Sequence, residues 1–361
     1  MAQSPSFQQA AWRRLKKNKG AMAGLIIIIL SLLVAVFAYF IAPDPSPYSN
    51  RIILEVNGSK PGFTQTFIKV KKEKDVMSAG FLKQLVAGKE DVYYFVPVIS
   101  YQAKGDSIIV QKYIDEGLSE RQAYHINNLA AASIPTKKFL LGTDKYGRDI
   151  LSRIIVGTRV SLSVGLITVI ISLSIGLILG SLAGFYRGKV DDIIMWFINV
   201  IWSIPTLLLV FAITLALGKG FWQVFIAVGL TMWVNVARLV RGQVLSVREH
   251  EYVEAARALG FSNFRTIVRH IWPNIMGPVI VIAASNFASA IVIEAGLSFL
   301  GIGVQPPQPS WGLMIKENYN FIITQNPMLA LAPGFAIMLL VLAFNLLGNG
   351  LRDALNVRGK L

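Results

Sequence analysis

The sequence EAARALGFSNFRTIVRHIWP, residues 254–273, is a mostly polar and basic segment that lies between two long uncharged runs, 220–237 and 271–293. Each run has the length and apolar composition of a membrane span. The arginines from position 238 to position 270 are Arg238, Arg241, Arg248, Arg257, Arg265 and Arg269. Short loops rich in lysine and arginine stay on the cytoplasmic side of a membrane. The segment is therefore predicted to lie in a cytoplasmic loop.

The composition of this loop predicts helix. Alanine, leucine, arginine and glutamate favour helical backbone, Gly260 is a typical helix terminator, and Ser262 is a typical N-cap. We predict two short helices hinged at Gly260, which together offer a compact surface to a partner in the cytosol.

The spacing resembles the EAA loop of ABC-importer membrane subunits. The residues that carry this resemblance are Glu254, Ala255, Ala256, Gly260, Ile271, Trp272 and Pro273. In that family the loop docks into the ATP-binding subunit. The resemblance implies that the coupling residues are Glu254, Ala255, Ala256, Arg257 and Gly260. An ordinary amphipathic connection is the alternative, but the complete spacing ahead of the last two spans favours coupling.

The composition is that of a membrane protein. Of 361 residues, 54% are hydrophobic and 15% are charged, whereas globular domains carry about 25% charged residues. The net charge of +15 is explained by basic residues in short cytoplasmic segments, so no nucleic-acid partner is expected. The absence of cysteine excludes disulfides and thiolate metal sites.

Hydropathy and charge together predict six membrane spans. In chain order they are 21–43, 161–186, 193–218, 220–237, 274–293 and 328–347. Basic residues at the short inner loops and at both ends predict a multi-pass protein of the plasma (inner) membrane with both termini in the cytoplasm. Pro205 predicts a kink in the third span, and Gly176, Gly180 and Gly184 predict a close-packed face on the second.

The chain divides into three predicted parts: 1–43, the cytoplasmic tail and first span; 44–140, an inserted extracytoplasmic α+β domain; and 141–361, a five-helix core with a cytoplasmic coupling loop at about 242–273. In the inserted domain we expect strands at 92–101 and 107–114, and helices at 77–86 and 119–129. This domain is either a passive insertion or a contact surface for a solute receptor.

Three further runs resemble dipeptide and oligopeptide ABC-importer permeases. They are LGTDKYGRDILSR at 141–153, EAGLSFLGIG at 294–303 and FNLLGNGLRD at 344–353. Asn349 stands where that family usually has aspartate, and LNVR at 355–358 replaces the common LDPR. Asp149 is expected to cap a helix. Glu294 is expected at the outer mouth of a span, opening a non-helical segment.

The resemblance implies an all-α membrane protein with six transmembrane helices, an ABC importer type I permease-like core, and the α+β domain inserted between helices one and two. It implies a non-enzymatic permease subunit for peptides. The implied partners are a second permease subunit, two ATP-binding subunits, an extracytoplasmic solute-binding protein, peptide cargo and the lipid bilayer. The sequence has no P-loop motif, so the chain needs no cofactor of its own and ATP is bound by the partner subunits.

Three alternatives remain open from the sequence. The first keeps the ABC permease class but changes the cargo, for example to nickel. The second is a secondary transporter or channel, which would place ionisable groups near the middle of its spans. The third is a membrane-anchored binding module built on residues 44–140. The three histidines (His125, His250 and His270) show no metal-ligand spacing.

Overall fold

The computed structural model describes residues 7–73, 80–115, 117–130, 134–218, 220–322 and 326–355. The helices α1 to α13 are, in order, Phe7–Lys17, Lys19–Val36, Ala38–Ile41, Phe81–Ala87, Ile150–Tyr186, Gly188–Trp202, Thr206–Leu217, Phe221–Val247, Glu251–Ala258, Asn263–Thr266, Trp272–Leu300, Trp311–Asn318 and Met328–Leu355. The strands β1 to β5 are Phe63–Lys71, Tyr93–Lys104, Ser107–Asp115, Leu118–His125 and Thr136–Phe139.

The chain forms two compact units. The helical unit consists of Met1–Ser31, Ser161–Gln305 and Ile337–Leu361, and the sheet unit consists of Leu32–Val160 and Pro306–Ala336. Five helices in the described residues are long and apolar enough to cross a membrane, and the count becomes six if the bent pair α6 and α7 is one span.

Glycines on α5 allow its backbone to approach α8 closely. A Cβ built at Gly176 would lie 2.5 Å from Val236 Cβ, and one at Gly180 would lie 2.5 Å from the Ala237 carbonyl oxygen. Such distances leave no room for a side chain, so the predicted packing face is confirmed.

The third predicted span is not a single kinked helix. Helices α6 and α7 meet at an angle of 92°, with the break at residues 203–205. Pro205 has no N–H to donate to the Ile201 carbonyl, which accepts from the Ile204 N–H at 3.3 Å. The predicted bend at Pro205 is confirmed, but the helix is broken there rather than kinked, and its first part begins at Gly188 rather than near 193.

Several helices are longer than hydropathy predicted, because their charged residues form hydrogen bonds or ion pairs with other parts of the protein. Helix α5 begins at Ile150 rather than near 161, and Arg159 on it donates to the Leu85 and Val86 carbonyls. Helix α8 ends at Val247 rather than near 237, and Arg241 on it forms a bidentate pair with Asp191.

The prediction that Glu294 opens a non-helical segment was wrong. Helix α11 continues to Leu300, so Glu294 lies inside a helix and does not open an irregular segment. Its side chain is 1% exposed, and the Ser298 hydroxyl donates to its carboxylate at 2.6 Å. The helix continues past Gly296 and ends at Gly301, which has a left-handed backbone with φ +85°.

The sheet unit is built on a five-stranded antiparallel sheet in the order β4-β3-β2-β1-β5. Strands β2 and β3 confirm the two predicted strands. The helix predicted over 119–129 is wrong, since Leu118–His125 is strand β4 and pairs with β3 along its length. Of the helix predicted over 77–86, residues 77–79 lie outside the described residues, and α4 covers Phe81–Ala87.

Hydrogen bonds to Asp144 and Asp149 hold the 141–153 segment in place within the sheet unit. The Asp144 carboxylate accepts from the Tyr146 and Arg148 backbone N–H groups and from Arg148 Nε at 2.6 Å. Asp149 accepts from the Ser152 backbone N–H at 2.8 Å, which confirms the predicted cap at the start of α5.

Two buried arginines of this region share one carboxylate. Arg148 Nη2 lies 2.8 Å from Glu317 Oε2, and Arg153 Nη2 lies 3.4 Å from the same atom. The Arg153 side chain is 1% exposed. The network therefore fixes the start of α5 against α12, the helix that carries Glu317.

Candidate functional site

Helix α9 carries four of the five predicted coupling residues and lies against the base of the helical unit. Val253 is fully buried in a cluster with residues of α8 and α11. Of the predicted residues, Glu254, Ala255, Arg257 and Gly260 are exposed, whereas Ala256 is 4% exposed and faces the core. The predicted motif thus has one packing residue and four surface residues.

Gly260 ends this helix as predicted. Its φ is +78°, a left-handed conformation that favours glycine. The Phe261 N–H donates to the Ala256 carbonyl at 3.1 Å and the Gly260 N–H to the Arg257 carbonyl at 3.0 Å, which is a Schellman-type helix end. Ser262 accepts from the Arg265 N–H at 3.3 Å, so the predicted N-cap is confirmed.

The second predicted helix is not a separate short helix. Helix α10 continues through a π-helical turn, Ile267–Ile271, into α11. The result is a continuous helical stretch from Asn263 to Leu300. Pro273, which lacks an N–H, lies in the first turn of α11, immediately after the π-helical turn. A force on the residues beside Gly260 therefore acts directly on a helix of span length.

Two large apolar side chains flank Gly260 on the surface. Leu259 is 75% exposed and Phe264 is 77% exposed, and a third, Tyr252, is 42% exposed. Sequence reasoning missed these residues as functional candidates. The available signal was that apolar residues bracket a helix-ending glycine within an otherwise polar loop. An exposed apolar cluster of this kind is typical of a protein-binding surface.

Two arginines, Arg248 and Arg257, lie beside Phe185 near the end of α5. Arg248 donates to the Phe185 carbonyl, and the Arg257 guanidinium lies 5.4 Å from the Phe185 ring centre. Desolvation lowers the pKa of Arg248, and the neighbouring positive charges of Arg187 and Arg257 act in the same direction. Glu251 and Glu254 occupy the first turn of α9, where a carboxylate complements the helix dipole.

These features are typical of a protein-binding surface. In the described part of the chain, no three histidine, aspartate or glutamate side chains are grouped so that they could hold a metal ion. The 251–266 segment combines a rigid inner face, an exposed apolar tip and a direct continuation into α11. Such a segment can transmit a displacement from a bound partner to the helices behind it.

Comparisons with protein families identify two regions. The profile described as binding-protein-dependent transport system inner membrane component matches residues 176–359. The profile described as the N-terminal TM domain of oligopeptide transport permease C matches residues 6–57.

Two relatives of Bacillus subtilis (strain 168) are similar over most of their length. The dipeptide transport system permease protein DppC is 32% identical over 353 residues, which are 98% of this chain and 86% of the relative. The oligopeptide transport system permease protein OppC is 39% identical over 250 residues, 69% of this chain and 82% of the relative.

A third relative carries a different name. The glutathione transport system permease protein GsiD of Pectobacterium atrosepticum is 42% identical over 226 residues, which are 63% of this chain and 75% of the relative. A solved structure of the MetNI methionine ABC transporter in an inward-facing conformation aligns with 56% of this chain and 96% of its own at 17% identity, with a TM-score of 0.47.

Proposed function

Since this chain belongs to the family of binding-protein-dependent transport system inner membrane components, we propose that it is the permease subunit of an ATP-binding-cassette importer for dipeptides and oligopeptides. The observation that carries this proposal is the similarity to a dipeptide permease over 98% of the chain. The family is a translocation component and not an enzyme. The chain therefore supplies a path for cargo and has no reacting site.

The proposed topology has six spans in a type I permease core. Five are formed by α2, α5, α8, the 263–300 stretch and α13, and the sixth is the bent pair α6 and α7. Both termini face the cytoplasm, because basic residues flank the first and last spans. Residues 44–140, which include the five-stranded sheet, then form an extracytoplasmic domain between the parts 1–43 and 141–361.

The proposed assembly contains a second permease subunit, two ATP-binding subunits and an extracytoplasmic solute-binding protein. ATP belongs to the separate ATP-binding subunits, since this sequence has no P-loop motif. The second, similar permease subunit would form the other half of the cargo path.

The proposed coupling residues are Glu254, Ala255, Ala256, Arg257 and Gly260. Supporting this role, Leu259 and Phe264 project beside Gly260 with at least three quarters of their surface exposed. A groove on the ATP-binding subunit would bury them and contribute about 1.5–3 kcal/mol for each side chain. Movement of that subunit would then tilt the 263–300 helix and shift the spans between two packed arrangements.

A charge reversal at Glu254 tests both the partner and the role of the loop. In cells that carry the complete importer, Glu254→Lys should lower uptake of radiolabelled dialanine at least about tenfold, because a loss of about 1.4 kcal/mol at the contact with the ATP-binding subunit corresponds to a factor of ten. ATPase activity stimulated by the binding protein should fall with it, while the amount of chain in the membrane stays constant.

Glu120→Lys is the matched control, because Glu120 is an exposed carboxylate on β4 in the sheet unit. This change should leave both activities at the wild-type level. If Glu254→Lys keeps full uptake and ATPase stimulation, the coupling role is wrong. If the wild-type importer carries no peptide at all, the proposed cargo is wrong.

A further inference from the structure

A large cavity opens beside the broken span in the helical unit. Its volume is about 660 Å³, which is within the range of small-molecule sites, about 300–1,000 Å³. Residues of α6, α7, α8, α11 and α13 line it. The polar ones are Thr206, Thr231, Asn235, Ser285, Asn286, Ser289 and Asn345. The 92° bend at Pro205 turns α6 and α7 apart, and the cavity lies along this bend.

A second cavity, of about 630 Å³, continues from the first and shares Ile282 and Ser285 with it. On α8 the lining passes from Asn235 to Leu239 and Gln243, positions four residues apart that lie on one helix face. The two cavities therefore form one groove along α8 and α11, and we refer to it as the polar groove. Arg352 of α13 also lines the second cavity.

The polar groove does not have the chemistry of a lipid-facing surface. Asn235, Ser285 and Ser289 lie in the helices proposed to span the membrane, yet each is exposed. Polar groups that face hydrocarbon lose their hydrogen bonds to water at a cost of several kcal/mol. These side chains must consequently face water, cargo or another subunit.

The lining of the first cavity is neutral. Among the described residues that line it, the polar groups are hydroxyls and amides and none is ionisable. Hydroxyls and amides both donate and accept hydrogen bonds, as the N–H and C=O of every peptide bond also do. A fixed charge would instead retain a cargo of opposite charge and repel one of like charge.

An aromatic side chain is held in place at the broken end of α6. Trp202 lines the first cavity, its indole N–H donates to the Asn235 side chain at 3.1 Å, and the Arg238 guanidinium lies 3.5 Å from the centre of its ring. The indole is thereby fixed from two sides while 54% of its surface stays exposed. It offers a flat apolar platform next to the hydrogen-bonding groups.

We propose that the polar groove is the cargo-contacting surface of this chain and that it holds peptides by their main-chain amide groups. Asn235, Ser285 and Ser289 supply the hydrogen bonds and Trp202 supplies the platform. The first cavity has no ionisable group in its described lining, in contrast to the second cavity with Arg352, so it contacts the cargo without selecting its side chains by charge. This inference rests on the proposed peptide-import function. It places the selection of side chains outside the first cavity.

Introducing one carboxylate into the groove tests the inference. Cells with the complete importer take up Ala-Lys and Ala-Glu, and the initial rates of the Ser289→Asp variant are divided by those of the wild type for each peptide. This division cancels the preference of the solute-binding protein. We expect the Ala-Lys ratio to exceed the Ala-Glu ratio about tenfold, the effect of about 1.4 kcal/mol.

Ser246→Asp is the matched control, because Ser246 is an exposed serine near the end of α8 outside both cavities. It should leave the two ratios equal. Asn235→Asp is a second, isosteric variant for the case that Ser289→Asp does not reach the membrane. Equal loss of both peptides, or no change in either, would overturn the inference and assign the groove to a subunit contact or to lipid. A wild-type importer that carries neither peptide would overturn the proposed function instead.

Discussion

The 141–153 segment and the 251–266 segment both resemble peptide-importer permeases, yet their residues do opposite things in the structure. In the 141–153 segment the side chains of Asp144 and Arg153 are 1% exposed or less. In the 251–266 segment Leu259 and Phe264 are 75% and 77% exposed. One segment is a set of internal contacts, and the other presents its side chains outward.

This contrast shows that the two segments resemble the family for different structural reasons. Asp144 accepts three hydrogen bonds from its own loop, and Glu317 accepts from two arginines, so the first segment is explained by the fold of this chain alone. In the second segment, contacts within this chain explain Val253 and Ala256, which are buried, and Gly260, which ends α9. Its exposed apolar tip needs a partner to explain it.

A pair of glycines gives the largest predicted difference between the two segments. Gly147 has φ +72°, and a Cβ there would collide with the Ile53 carbonyl; Gly260 has φ +78°, and a Cβ there would meet no atom within 4 Å. Gly147→Ala should destabilise the protein by at least about 3 kcal/mol, and Gly260→Ala by about 1 kcal/mol. The measurement is the yield of monodisperse protein from membranes and its apparent melting temperature in detergent.

Gly188→Ala is a control for the backbone conformation alone, since Gly188 has φ +52° and open space around a built Cβ. It should behave like Gly260→Ala. Equal losses from Gly147→Ala and Gly260→Ala would show that the 141–153 segment is no more firmly held than the 251–266 segment, which would break the comparison.

Two carboxylates give a second, smaller difference. Glu317 is 11% exposed and bonds to two buried arginines, whereas Glu249 is 67% exposed and pairs with Arg187, which is 45% exposed. Glu317→Gln should lower the free energy of unfolding by about 3 kcal/mol, because it leaves Arg153 buried without its paired carboxylate, while Arg148 keeps its pair with Asp144. Glu249→Gln should cost less than about 1 kcal/mol.

Denaturant titration of both variants in the same detergent measures these costs. High salt should weaken the Arg187–Glu249 pair and leave the Glu317 network nearly unchanged, since buried charges are screened less than exposed ones. A Glu317→Gln variant as stable as the wild type would mean that the buried network contributes little to holding α5 against α12.

The features that the sequence predicted correctly depend on local chemistry. Gly260 ends a helix and Ser262 begins one because of their own backbone and hydroxyl groups, and the richness of β2 and β3 in valine, isoleucine and tyrosine identifies them as strands. The apolar runs likewise identify where most of the long helices lie. None of these predictions requires knowledge of a distant residue.

The features that were missed depend on partners far along the chain. Residues 119–129 read as helix because of their own composition, but pairing with β3 makes Leu118–His125 a strand. Helix α8 passes Arg241 because Asp191 compensates that charge. The exposure of Leu259 and Phe264 could not be predicted, because it is decided by how the loop packs on the helices behind it.

A lysine beside the 141–153 segment gives the smallest and most specific prediction. Lys137 on β5 borders the same small cavity as Gly147 and Asp149. Burial lowers its pKa from the ordinary 10.5 to about 8, and the positive charge of Arg51 adds to this effect. Between pH 8 and 10.5 the unfolded chain therefore binds more protons than the folded chain, so stability rises with pH in this window.

Lys137→Met should remove this rise, on the order of 1–2 kcal/mol, and should stabilise the protein at pH 7. Lys138→Met is the matched control, because Lys138 is the exposed neighbour on β5. It should keep the wild-type pH dependence of stability. Apparent melting temperatures at pH 7, 8, 9 and 10 measure the difference, and identical profiles for Lys137→Met and wild type would mean that this ammonium is as well solvated as a surface lysine.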